Sequence, residues 1–95
     1  MRRLRYLVAY DIADPRRWRK VYQLLLNAGD PVQFSVFVCD LTVPELAALR
    51  RALERVMVVG EDRFLIARLG DPAAEGVIEF LGDKPTLPLA GTAIF

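Results

Sequence analysis

Apolar residues follow one another almost without interruption over residues 4–12, Leu-Arg-Tyr-Leu-Val-Ala-Tyr-Asp-Ile, as in a strand covered on both faces. Behind it, Asp14-Pro15 offers a helix N-cap followed by proline at the first helical position. Trp18, Val21, Tyr22 and Leu25 then recur at helical spacing, and Gly29 supplies a stop. From Val32 to Leu41 the period drops to two. Val32, Phe34, Val36 and Val38 face one way, and Gln33, Ser35, Phe37 and Cys39 the other. Thr42-Val43-Pro44-Glu45 has the spacing of a capping box. Leu46, Leu49, Leu53, Val56 and Met57 line one face of the helix behind it, with an Arg50–Glu54 ion pair on its surface and Gly60 at its end. Residues 63–69 predict a further strand and 77–81 a short one.

Two amphipathic helices cannot cover both faces of so small a sheet without leaving strands bare. Both on one face of a mostly antiparallel sheet is the economical solution, an α+β sandwich of ferredoxin-like type over residues 1–82. The other sheet face then needs a cover, and a second copy, packed sheet to sheet as a homodimer, is the simplest. Residues 83–95 form a tail too apolar for solvent, while Pro85, Pro88 and Gly91 keep it from being a helix. It either adds to another chain or packs back on its own domain.

Composition narrows the chemistry. The 95 residues, 54% of them hydrophobic, suffice for one domain with a real core, and no repeat or linker divides them. No apolar stretch approaches the roughly 20 residues that span a bilayer, so no membrane association is expected. The basic start, Met1-Arg2-Arg3-Leu4-Arg5, leads to Asp11 with no small-residue cleavage site and does not read as a signal peptide. The single cysteine, Cys39, excludes an internal disulfide framework and points to a reducing cytoplasm. With no histidine, reaction chemistry is left to carboxylates, hydroxyls, cations or a hard metal. The net charge of +1 hides a split. Residues 1–20 carry seven basic and two acidic side chains, and the rest carry six and ten. A polyanion partner and a plain solvated surface both fit that polarity.

The chemistry centres on Tyr10-Asp11 at the end of the first strand. A lone aspartate there either hydrogen-bonds loop amides or holds a metal. One carboxylate is too little for Mg²⁺, but a two-fold dimer would bring two Asp11 together around one ion, which could activate water against a phosphodiester. Beside it, Arg16, Arg17, Arg19 and Lys20 crowd the start of a helix, where cations oppose the dipole by about 0.3–1 kcal/mol each. Asp14 offsets part of that cost, and the remainder suggests an external phosphate. Arg16, Arg19, Lys20 and Gln23 share the polar face, and Trp18 turns toward the core as packing rather than as a base-stacking platform. Ser35 has no base beside it and is expected to satisfy a backbone group rather than act as a nucleophile. Cys39 reads as a small buried hydrophobe.

Leu7-Val8-Ala9-Tyr10-Asp11-Ile12, the basic helix, Val32-Gln33-Phe34-Ser35-Val36-Phe37, the leucine-rich helix and the strand over residues 64–69 together resemble the CRISPR-associated Cas2 family. The resemblance covers residues 4–82. It implies a ferredoxin-like homodimer that works in spacer acquisition, binding double-stranded DNA and bridging dimers of a larger integrase partner. It also implies metal-dependent endoribonuclease or deoxyribonuclease activity in some members. On this resemblance Asp11 would ligate Mg²⁺ or Mn²⁺ shared between two chains, with Tyr10 beside it. Arg16, Arg17, Arg19 and Lys20 would contact nucleic acid, and Ser35 and Phe37 would shape the catalytic cleft. Residues 77–95 would cross toward the partner sheet and the integrase. The family pattern asks for two strands between the helices. Val32–Leu41 is short for both, so a kinked or bulged strand is expected.

Two functions follow: an adaptor dimer that holds integrase units apart on DNA, with weak phosphodiesterase activity at most, and a Mg²⁺-dependent nuclease acting on its own. One ligand per chain and the lack of a general base favour the adaptor. A small-molecule-sensing domain is disfavoured, because no glycine-bearing ligand loop joins a strand to a helix.

Overall fold

In the computed structural model, which describes residues 1–83, the first apolar run forms β1 (Leu4–Asp11). It is followed by α1 (Pro15–Leu26), β2 (Asp30–Gln33), β3 (Val36–Leu41), α2 (Val43–Val56) and β4 (Arg63–Gly70). The four strands make one antiparallel sheet in the order β2-β3-β1-β4, so β1 lies between two strands that follow it in sequence. Alternation along β1 sorts its side chains. Tyr6, Val8 and Tyr10 join Phe37, Cys39 and Leu41 of β3 in a core closed by Val21 and Leu25 of α1 and Leu49 and Leu53 of α2. Both helices therefore cover one face, and the α+β sandwich expected from the sequence is present.

The helix ends follow their sequence signals. The Asp14 carboxylate accepts from the amides of Arg16 and Arg17, both at 3.0 Å, ahead of Pro15. Such a cap contributes about 1 kcal/mol. The Thr42–Glu45 capping box closes in both directions, through Thr42 N to Glu45 Oε1 at 2.8 Å and Glu45 N to Thr42 Oγ1 at 3.3 Å. The Arg50–Glu54 ion pair does not form among the described residues.

Three expectations need correction. The run Val32–Leu41 is two strands rather than one kinked strand. Gln33 pairs with Val36, and Phe34-Ser35 makes the turn, with Ser35 at φ +62°. Gly29 is not a left-handed helix stop, since α1 ends at Asn27 in right-handed geometry. Gly29 is required for space instead: a Cβ there would overlap the Val38 carbonyl oxygen and lie 2.6 Å from Cys39 Sγ. Residues 77–81 do not form a strand, and only Glu79 makes an isolated β-bridge. Phe80 still packs on Val38, with Val32 and Ile78, against the sheet face away from the helices. The rest of that face holds the Arg5–Asp40 cross-strand pair, bidentate at 2.8 and 3.0 Å, and Leu65, 55% exposed. Most of the tail over 83–95 lies outside the described residues.

Candidate functional site

Asp11 ends β1 directly across from Arg63 of β4, whose guanidinium donates to Asp11 Oδ2 at 3.2 Å. Both side chains stand in solvent, where such a pair contributes at most about 1 kcal/mol. The hairpin turn is drawn to the same end of β1 by the Tyr10 amide, which donates to the Ser35 carbonyl at 3.1 Å. The first turn of α1 completes the enclosure. A cleft of about 520 Å³ opens between these three segments, lined in part by Tyr10, Asp11, Trp18, Arg19, Phe34 and Ser35.

Of the residues singled out in the sequence, Tyr10, Asp11, Ser35 and Arg19 thus meet in one place. Phe37 lies beneath as core, fully buried and 6.3 Å from the Tyr10 ring. The Tyr10 hydroxyl is buried without a hydrogen-bond partner. Burial pushes its phenol above the usual value; Ser35 lies close enough to pull the other way, but not in hydrogen-bonding geometry. The Ser35 hydroxyl instead accepts from the Trp18 indole at 3.4 Å. Burial also pushes the Cys39 thiol up to about 12, as suits an unreactive core residue.

The cations separate into two groups. Arg2 pairs with Asp71 at 3.3 Å, Arg3 with Glu45 at 3.1 Å, Arg5 with Asp40 at 2.8 Å, and Arg17 with Asp62 at 2.7 Å and Glu61 at 3.1 Å. Four of the seven N-terminal basic residues therefore bind acids from later in the chain, and the sequence polarity is largely a folding contact. Arg16, Arg19 and Lys20 are exposed on α1, and their side chains make no ion pair with the described residues. Arg17, expected among the phosphate contacts, is instead engaged with Asp62 and Glu61 in this chain.

Asp62, Phe34 and Arg63 do not stand out in the sequence as site residues. Asp62 accepts from the amides of Ala13 at 3.0 Å and Val58 at 2.9 Å as well as from Arg17, so it does the loop-binding work open to Asp11 on sequence grounds. The Arg17 guanidinium holds its carboxyl down to about 2. Only Phe34 carries a usable signal, an aromatic residue in a segment where the family pattern asks for two strands.

A magnesium ion does not fit one chain alone. Among the described residues no cluster of three carboxylate or thiol side chains exists, and the cleft offers only Asp11, already facing Arg63. Two carboxylates would require two chains.

The comparisons with known proteins agree with this architecture. A family model described as CRISPR associated protein Cas2 matches residues 4–76. A CRISPR-associated endoribonuclease Cas2 of Rhodospirillum rubrum is 43% identical over 65 residues, 68% of this chain and 64% of that protein. A CRISPR-associated endonuclease Cas2 of Thermus thermophilus is 42% identical over 80 residues, covering 84% and 83%. Among solved structures, a hypothetical protein from Thermus thermophilus superposes with a TM-score of 0.78 at 38% identity, over 87% of this chain and 95% of that one. Streptococcus pyogenes Cas2 does so with a TM-score of 0.63 at 29% identity, over 66% and 82%. Sheet order, helix placement and sequence similarity together make this chain a member of the CRISPR-associated Cas2 family.

Proposed function

We propose that the chain works as a duplex-binding homodimer in CRISPR spacer acquisition, bridging integrase units on double-stranded DNA. The observation that carries this reading is the row Arg16, Arg19 and Lys20, exposed on α1 and without ion-pair partners among the described residues. Arg16 in the first turn opposes the helix dipole, Asp14 at the N-cap offsets part of that cost, and a phosphate backbone would answer all three cations. The half-open sheet face with Leu65 supports closure by a second copy.

Salt dependence tests the reading. Replacing Arg16, Arg19 and Lys20 by Ala should lower the slope of log affinity for duplex DNA against log salt by about 0.9 for each phosphate no longer engaged. Asp11→Asn should bind as before. An unchanged slope in the triple variant overturns the proposal.

A second reading, a metal-dependent endoribonuclease or deoxyribonuclease, is supported by the names of the relatives and by the exposure of Asp11. It requires two chains to supply the ligands. Metal-dependent cleavage by a purified dimer that vanishes in Asp11→Asn would favour it.

A further inference from the structure

Phe34 is the most exposed aromatic residue among the described ones, and at 83% exposed it is nonetheless held in place. Its ring lies on Trp18, with centroids 5.3 Å apart and planes 20° from parallel, and Trp18 lies on Tyr22 at 5.1 Å and 12°. Three near-parallel rings form a column with an outer face open to solvent. The column is fixed from below and from the side. Trp18 and Tyr22 pack against the core, and the Trp18 indole is tied to Ser35, the next residue in the Phe34 turn. Ser35 sits at φ +62°, a conformation that costs a non-glycine residue roughly 1–2 kcal/mol, and its carbonyl is held by Tyr10.

Scattered exposed hydrophobes are ordinary on protein surfaces. This one differs because it ends a ring stack at the lining of an open cleft, with Arg19 in the same lining and the Asp11 carboxylate paired with Arg63. A flat π surface beside a cation suits a ligand that is itself flat and carries a negative charge on a short tether. We propose that the Phe34–Trp18 stack seats one unpaired nucleobase of a nucleic-acid strand, with Arg19 holding its phosphate. The assignment rests on the nucleic-acid-binding reading above. It adds to the sequence-blind phosphate contacts a site that distinguishes an unpaired base from a stacked pair. Trp18 then serves as both core packing and base platform.

The test uses the full chain, a blunt DNA duplex, and the same duplex with a single-stranded extension containing 2-aminopurine. The wild-type protein should bind the extended duplex more tightly and quench the 2-aminopurine. Phe34→Ala should lose the preference, about tenfold in affinity, together with the quenching, since truncating an aromatic that stacks on a base typically weakens binding to that extent. Phe34→Leu should behave like Ala, which separates ring stacking from simple apolar contact. Blunt-duplex affinity and its salt slope should stay unchanged in both variants. Preference and quenching that persist in Phe34→Ala overturn the seat, as does a wild-type protein that binds both duplexes equally without quenching, and in either case the duplex reading survives. If the wild-type protein quenches the extended strand yet fails to bind the blunt duplex, the seat stands and the duplex reading falls. Binding to neither overturns both.

Discussion

Asp62 uses two carboxylate oxygens to join three parts of the chain: the loop after β1 through Ala13, the loop after α2 through Val58, and α1 through Arg17. The carboxyl titrates at about 2 when folded, below the ordinary aspartate value near 4, so it favours the folded state when ionised. That contribution is complete above about pH 4 and drains away as pH falls toward 2. Glu45, held down to about 2 by Arg3 and the Thr42 cap, acts in the same window. Thermal melting of the wild-type protein should therefore lose midpoint steeply between about pH 4 and 2. Asp62→Asn should start lower at pH 7 and fall less over that interval; parallel curves would refute the assignment. Nothing in the sequence separates Asp62 from its neighbours, because two of its three partners, Arg17 and Ala13, lie 45 and 49 positions away and no periodicity encodes them. Asp11 is legible because a strand end and a helix start flank it within a few residues.

At the scale of elements, local signals read best where cap chemistry and hydrophobic period coincide. Asp14-Pro15 and Thr42-Val43-Pro44-Glu45 announce α1 and α2, and both caps form. The β2–β3 hairpin is hidden for a physical reason. Period-two alternation runs straight through the turn, and Phe34-Ser35 has none of the glycine or asparagine that normally marks one. Gly29 is a landmark in the sequence, but close approach rather than helix termination is its cause. Because the backbone of β3 passes where its side chain would be, Gly29→Ala must push the α1–β2 connection and β3 apart. We expect a loss of about 3 kcal/mol in denaturant unfolding, in the range of overpacked cores. A change below about 0.5 kcal/mol, the scatter of ordinary surface substitutions, would mean that β3 yields to the added methyl without cost.

Across the whole molecule, the opposite charges of the two chain regions meet as ion pairs, leaving three cations of α1 for a partner. The sheet face away from the helices is capped at one side by Phe80 and open at Leu65. Leu65→Arg should leave the fold of one chain intact, because that side chain is already more than half exposed. In a sheet-to-sheet dimer it would bury an unpaired charge, weakening association at least about hundredfold. Sedimentation at micromolar concentration reads this directly, and a wild-type protein that runs as a monomer refutes the proposed dimer. The sandwich itself is legible from the order of its elements. How its open face is closed is not, since that depends on a surface rather than on a period. One consequence of the strand order concerns synthesis. β1 precedes both of its hydrogen-bonding neighbours, so during translation its apolar ribbon waits with two bare edges until β3 and then β4 arrive. Arg2, Arg3 and Arg5, which later find acids, meanwhile place like charges at the start of that ribbon and discourage it from sticking to its sisters on a polysome.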